Sequence, residues 1–113
     1  MSRDVLFLLP RAFEKDGRQK FCPPCALIEG FLSWHPDVAE RLDVRRVDFP
    51  RPRTPLVELL GEGRQNCPVL ILAEDAPDGP GVQVTETGVR YVDDGAPIAR
   101  YLADRYGKAS PLP

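Results

Sequence analysis

Cys22-Pro23-Pro24-Cys25 fixes the position of a helix more tightly than any other stretch of the chain. A proline disfavours helical geometry in the residue before it, yet suits the first helical turn, where its missing amide hydrogen costs nothing. Cys22 and Pro23 are therefore expected to be extended, with a helix beginning at Pro24. Cys22 then faces unpaired amides and the positive end of the helix dipole, while Cys25 lies inside the first turn. A helix N-terminus favours the thiolate over the thiol. Two cysteines of unequal exposure at such a place suit thiol–disulfide exchange, in which one attacks and the other resolves. Two other readings stay open: a pair of small packing residues, or half of a zinc site. Zinc takes roughly four ligands, and only Cys67 and His35 remain in the chain. His35 would lie ~15 Å along a continuous helix from Cys25.

At 113 residues the chain reads as one domain spanning residues 1–113. Its net charge of −2 gives no reason to expect a nucleic-acid or anionic-membrane partner. The apolar run Val5–Leu9 is too short for a secretory signal, and nothing approaches the ~20 residues of a membrane span. The expected compartment is the cytoplasm, where a close cysteine pair is more often catalytic or metal-binding than structural. Three cysteines, an odd count, also argue against a fully paired framework.

Thirteen prolines punctuate the remaining elements. A buried strand is expected at Asp4–Leu9, ended by Pro10, then a polar, basic loop from Arg11 to Phe21 around Gly17. The first helix runs to about Trp34, with Leu27, Ile28, Phe31, Leu32 and Trp34 as its apolar positions, and Pro36–Arg41 adds a turn. A second strand lies within Leu42–Phe49, with Val44 and Val47 in the core. Thr54 is expected to cap a short helix from Pro55, carrying Leu56, Val57, Leu59 and Leu60 and stopped by Gly61 or Gly63. Val69–Leu72 is a third strand, Glu74–Gly81 a loop, and Val82–Val92 a strand or hairpin around Gly88. The last helix, Ala96–Tyr106, ends at Gly107. The order is β-α-β-α-β-β-α in a two-layer α/β fold with a right-handed βαβ start.

Three segments carry a resemblance that spans nearly the whole chain. Cys22-Pro23-Pro24-Cys25 stands at the first strand–helix junction, Asn66-Cys67-Pro68-Val69-Leu70-Ile71 precedes the third strand, and Asp94-Gly95-Ala96-Pro97-Ile98-Ala99-Arg100-Tyr101-Leu102 opens the last helix. Together they resemble the thioredoxin fold in its glutaredoxin form and the N-terminal domain of glutathione transferases. An uncharacterised group of small bacterial thioredoxin-like proteins is also similar. The resemblance implies a thioredoxin-like fold with a central mixed four-stranded sheet, and the activity of a thiol–disulfide oxidoreductase. It implies Cys22 as nucleophile, Cys25 as resolving thiol, and a cis Pro68 beside them. Phe21, Pro23, Pro68 and the backbone of Cys67 would face the substrate, a protein or small-molecule disulfide.

The resemblance also implies that Arg18 and Lys20 help hold a glutathione carboxylate and that Asp93-Asp94 grips its γ-glutamyl end. Read as residues alone, Arg18 and Lys20 are a solvated basic loop, Asp93 and Asp94 cap the last helix, and Cys67 is a packing residue. Departures are visible too: Asp93-Asp94 stands where an acidic-Ser pair is usual, Phe21 where thioredoxins have Trp, and the loop before Cys22 is longer than in glutaredoxins. No metal or organic cofactor is required, with glutathione as a reductant. The alternatives are a non-catalytic binding module for a protein or thiol ligand, and a cluster-binding dimer of the glutaredoxin type.

Overall fold

The computed structural model describes residues 3–112. Its framework is strand β1 (Asp4–Leu8), in which Leu6, Phe7 and Leu8 are all buried. Successive residues of a strand point to opposite faces, so both faces of the sheet are covered here. A hairpin, β2 (Phe13–Lys15) and β3 (Arg18–Lys20), follows, then helix α1 (Pro23–Trp34) and the short helix α2 (Pro36–Ala39). Next come β4 (Leu42–Arg46), α3 (Thr54–Leu60), β5 (Val69–Ile71), β6 (Gln83–Val84), β7 (Arg90–Asp93) and α4 (Gly95–Tyr106). The fold is mixed α/β. Its five-stranded sheet has the order β4-β1-β5-β7-β6, with β4 parallel to β1 and the other pairs antiparallel.

The helices start and stop where local chemistry dictates. Cys22 is the N-cap of α1 with extended backbone (φ −87°, ψ 111°), and both prolines follow in the first turn. Gly107 closes α4 in the left-handed conformation. A buried carboxylate then ties three segments together. Asp4 accepts a 2.8 Å hydrogen bond from the Ala73 amide and pairs with Arg105 in the last turn of α4.

Several expectations are corrected. The sheet has five strands rather than four, because Val82–Val92 folds as a hairpin whose first arm, β6, forms the sheet edge. The polar segment before Cys22 is a two-stranded ribbon rather than a loop. Asp16 and Gly17 both adopt positive φ (56° and 77°), the pairing that a two-residue hairpin turn requires. Phe13 anchors the ribbon by stacking on Phe49, with centroids 4.3 Å apart.

Trp34 is not in the core: it is 80% exposed, and Leu27 is 42% exposed. The buried stripe of α1 is Cys25, Ile28, Phe31 and Leu32, and the sequence interval from Leu27 to Trp34 returns to the opposite face. Thr54 lies inside α3 rather than capping it; Arg53 holds the cap position without a side-chain cap. No helix among the described residues is long and apolar enough to cross a membrane.

Candidate dithiol site

The Cys22 sulfur sits over the opening turn of α1, where the Cys25 amide donates to it at 3.2 Å. Pro23 and Pro24 have no amide hydrogen, so Cys25 supplies the first donor that the helix can offer. On its other side the Cys22 thiol lies 3.8 Å from the Cys67 carbonyl oxygen. The Cys67–Pro68 peptide bond is cis, as the resemblance implied; a second cis bond, Arg51–Pro52, has no counterpart in the sequence reading. The three cysteines are unbridged.

Environment separates the three sulfurs. Cys25 is 4% exposed. Burial, reinforced by the hydrogen bond with Cys22, pushes its thiol up to about 12, although a backbone hydrogen bond at Leu9 opposes the shift. Burial likewise pushes the Cys67 thiol up to about 11, against the pull of the Arg53 guanidinium. Both remain protonated near neutral pH; Cys25 is buried, whereas Cys22 and Cys67 are each half-buried.

An open groove of about 230 Å³ runs beside the pair, with Leu9, Pro10, Phe21 and Ala26 as its apolar walls. Glu29 and Arg11 form its rim. Glu29 bridges two guanidiniums, Arg11 at 3.1 Å and Arg46 at 2.5 Å. Burial raises its carboxyl, but the two arginines more than offset this and hold it below the usual carboxylate range. Sequence reasoning missed both Arg11 and Glu29 as parts of the site. The available signal was the interval from Cys25 to Glu29, one helical turn, which puts both on one face of α1.

The start of α4 closes the opposite side. Gly95 packs so tightly on α1 that a Cβ there would lie 2.8 Å from the Pro24 carbonyl oxygen. Asp94 caps α4 at positive φ (71°); its carboxylate accepts from the Gly95 amide, and its own amide donates to the Pro68 carbonyl at 3.2 Å. Asp93 is not a cap. It ends β7 and accepts a hydrogen bond from Gln83.

Cys22, Cys25, Pro23, Phe21, Cys67, Pro68 and Asp94 thus meet at one end of the central strands, after β1 and β7 and before β5. Arg18 and Lys20 stand apart on β3, exposed and without an ion pair among the described residues. No group of three or more His, Cys, Asp or Glu among the described residues is arranged to hold a metal ion.

The chain belongs to the family described as protein of unknown function DUF3088, whose model matches residues 3–110. No curated protein and no solved structure matches the chain.

Proposed function

We propose that the protein is a thiol–disulfide oxidoreductase of the thioredoxin type, working through Cys22 and Cys25. The observation that carries this reading is the asymmetry of the pair: Cys22 caps α1 with its sulfur 3.2 Å from the Cys25 amide, while Cys25 is buried behind it. The layout of the sheet supports it. Parallel β1 and β4 joined through α1, antiparallel β5 and β7, and α4 against α1 are the arrangement expected of a thioredoxin-like core. On this reading β6 and the β2–β3 ribbon are additions to that core.

The chemistry proceeds in two exchanges. The Cys22 thiolate attacks one sulfur of a substrate disulfide; that S–S bond breaks, a mixed disulfide forms on Cys22, and the departing thiolate takes a proton from solvent. Cys25 then gives its proton to solvent and attacks the Cys22 sulfur. The Cys22–Cys25 disulfide forms and the second substrate thiolate leaves. Two electrons pass from the dithiol to the substrate, and the reverse sequence oxidises a dithiol substrate. The high Cys25 value makes the second exchange the step that needs proton removal. The Cys67 carbonyl beside Cys22 offers a substrate backbone amide an acceptor next to the reacting sulfur.

Hydroxyethyl disulfide tests the assignment. Reduced Cys25→Ser, which cannot resolve, should accumulate one hydroxyethylthiol adduct, mapped to Cys22 by mass spectrometry. Cys22→Ser should carry none. An adduct predominantly on Cys67, or equal trapping by both variants, contradicts the roles of attacking Cys22 and resolving Cys25.

A further inference from the structure

The β2–β3 ribbon carries its charges unevenly. Its register pairs Phe13 with Lys20, Glu14 with Gln19 and Lys15 with Arg18. Directly paired residues of an antiparallel ribbon share a face, and neighbours along a strand alternate. Phe13, Lys15, Arg18 and Lys20 therefore lie on one face, and Glu14 with Gln19 on the other; Asp16 is at the turn. The cationic face is the one seated on Phe49, through the Phe13 stack at 4.3 Å and Lys15 Nζ 5.9 Å from the Phe49 centroid.

The segment after Phe49 extends this face toward the dithiol. The exposed Arg51 donates to the Asn66 side chain at 2.8 Å, one residue before Cys67. Arg53 is 7% exposed, with its guanidinium 5.4 Å from the Phe49 centroid. It donates only to the carbonyls of Phe49 and Gln65 and has no carboxylate partner among the described residues. A guanidinium buried without a counter-ion leaves a fixed positive field beside Cys67. Lys15, Arg18, Lys20, Arg51 and Arg53 form no ion pair among the described residues, whereas nearby Arg11, Arg45 and Arg46 are each paired. Of the acids in this region, Asp48 lines the same cavity as Arg46 and Arg53 but makes no ion pair with Arg53. In a chain of net charge −2, these unpaired cations are concentrated on the ribbon and the segment after Phe49, and Lys20 precedes Phe21 and Cys22 in sequence.

We infer that the face formed by the β2–β3 ribbon and Arg51 binds an acidic polypeptide segment of the protein whose disulfide Cys22 exchanges. The inference rests on the oxidoreductase reading and names its substrate class: a disulfide flanked by carboxylates. The ribbon and Arg51 contact the carboxylates, and Arg53 supplies charge from behind them.

Three synthetic peptides with one cysteine each, oxidised to homodisulfides and flanked by glutamate, glutamine or lysine, separate the possibilities. The full-length protein is pre-reduced, mixed with each, and quenched by acid and alkylation to follow formation of the Cys22–Cys25 disulfide. At low salt the glutamate peptide should react on the order of tenfold faster than the glutamine peptide. The lysine peptide should be slowest. Salt should remove the advantage as the screening length falls to ~10 Å at about 0.1 M. Arg51→Glu should reduce the preference for glutamate, and Arg100→Glu, the same charge change on an exposed position of α4, should not. Equal rates for glutamate and glutamine at low salt, or equal damage from the two variants, would overturn the proposal while leaving the oxidoreductase reading intact. A thymidine oligonucleotide that binds this face more tightly than the glutamate peptide at about 0.1 M salt would also overturn it, reassigning the face to nucleic acid. If no peptide generates the Cys22–Cys25 disulfide, the oxidoreductase reading itself fails and the proposal falls with it.

Discussion

At Cys25 and Cys67 the fold holds two thiols above the ordinary value of 9.0, at about 12 and about 11, chiefly by burial. Such groups keep their protons in the folded chain at pH values where the unfolded chain has lost them. Their contribution to stability is complete below pH 9.0 and is lost as pH rises toward the folded values. The reduced protein should therefore become less stable between pH 9.0 and about 11, and Cys67→Ala should flatten part of that decline in denaturation curves. An unchanged slope would mean that the fold does not raise the Cys67 thiol. The raised thiols of Cys25 and Cys67 also slow their reaction as nucleophiles. Brief iodoacetamide treatment of the reduced protein near neutral pH should modify Cys22 well before Cys25 or Cys67, as mapped by peptide mass; early labelling of Cys25 would contradict the site geometry. The dithiol was legible in the sequence because prolines act on their immediate neighbours. The Glu29 bridge to Arg11 and Arg46 was not, because its partners come from distant segments and nothing local marks them.

The elements follow the same division. Helix boundaries were readable where a proline or glycine sets backbone geometry, as at Pro36 and Gly107; α1 begins at Pro23, one residue before the expected Pro24, so Pro23 is helical rather than extended. The β2–β3 ribbon was hidden because β3 is polar and fully exposed, and only Phe13 reveals an anchoring side chain. Trp34 misleads for the opposite reason: an apolar residue at a helix end suggests core, and only the neighbouring elements determine which face is covered. Contact between α1 and α4 gives the sharpest test at this scale. Alanine favours helix over glycine by about 1 kcal/mol, so propensity alone would make Gly95→Ala stabilising. A Cβ 2.8 Å from the Pro24 carbonyl oxygen instead forces the two helix starts apart. Gly95→Ala should destabilise the protein by about 1–3 kcal/mol in urea unfolding. A neutral or stabilising result would show that α4 does not rest on the dithiol turn.

In the molecule as a whole, one mixed sheet brings Cys22, the Cys67 carbonyl, Pro68 and the start of α4 to a common end of its central strands, although they are far apart in sequence. The Asp4 carboxylate fixes that convergence from the other end of the sheet, through Ala73 and Arg105. The approximate order of strands and helices was visible as apolar runs between prolines. The fifth strand was left open, as the hairpin alternative for Val82–Val92, since β6 is two exposed residues that owe their place to pairing with β7. The proposed function requires Cys22 and Cys25 to exchange electrons as a unit. Equilibration of the protein across a series of thiol–disulfide buffers, followed by alkylation and mass mapping, measures this directly. The account predicts one cooperative two-electron transition in which Cys22 and Cys25 become linked and Cys67 stays alkylatable throughout. A dominant bridge from Cys67 to either partner, or no intramolecular bridge at any poise, would contradict it.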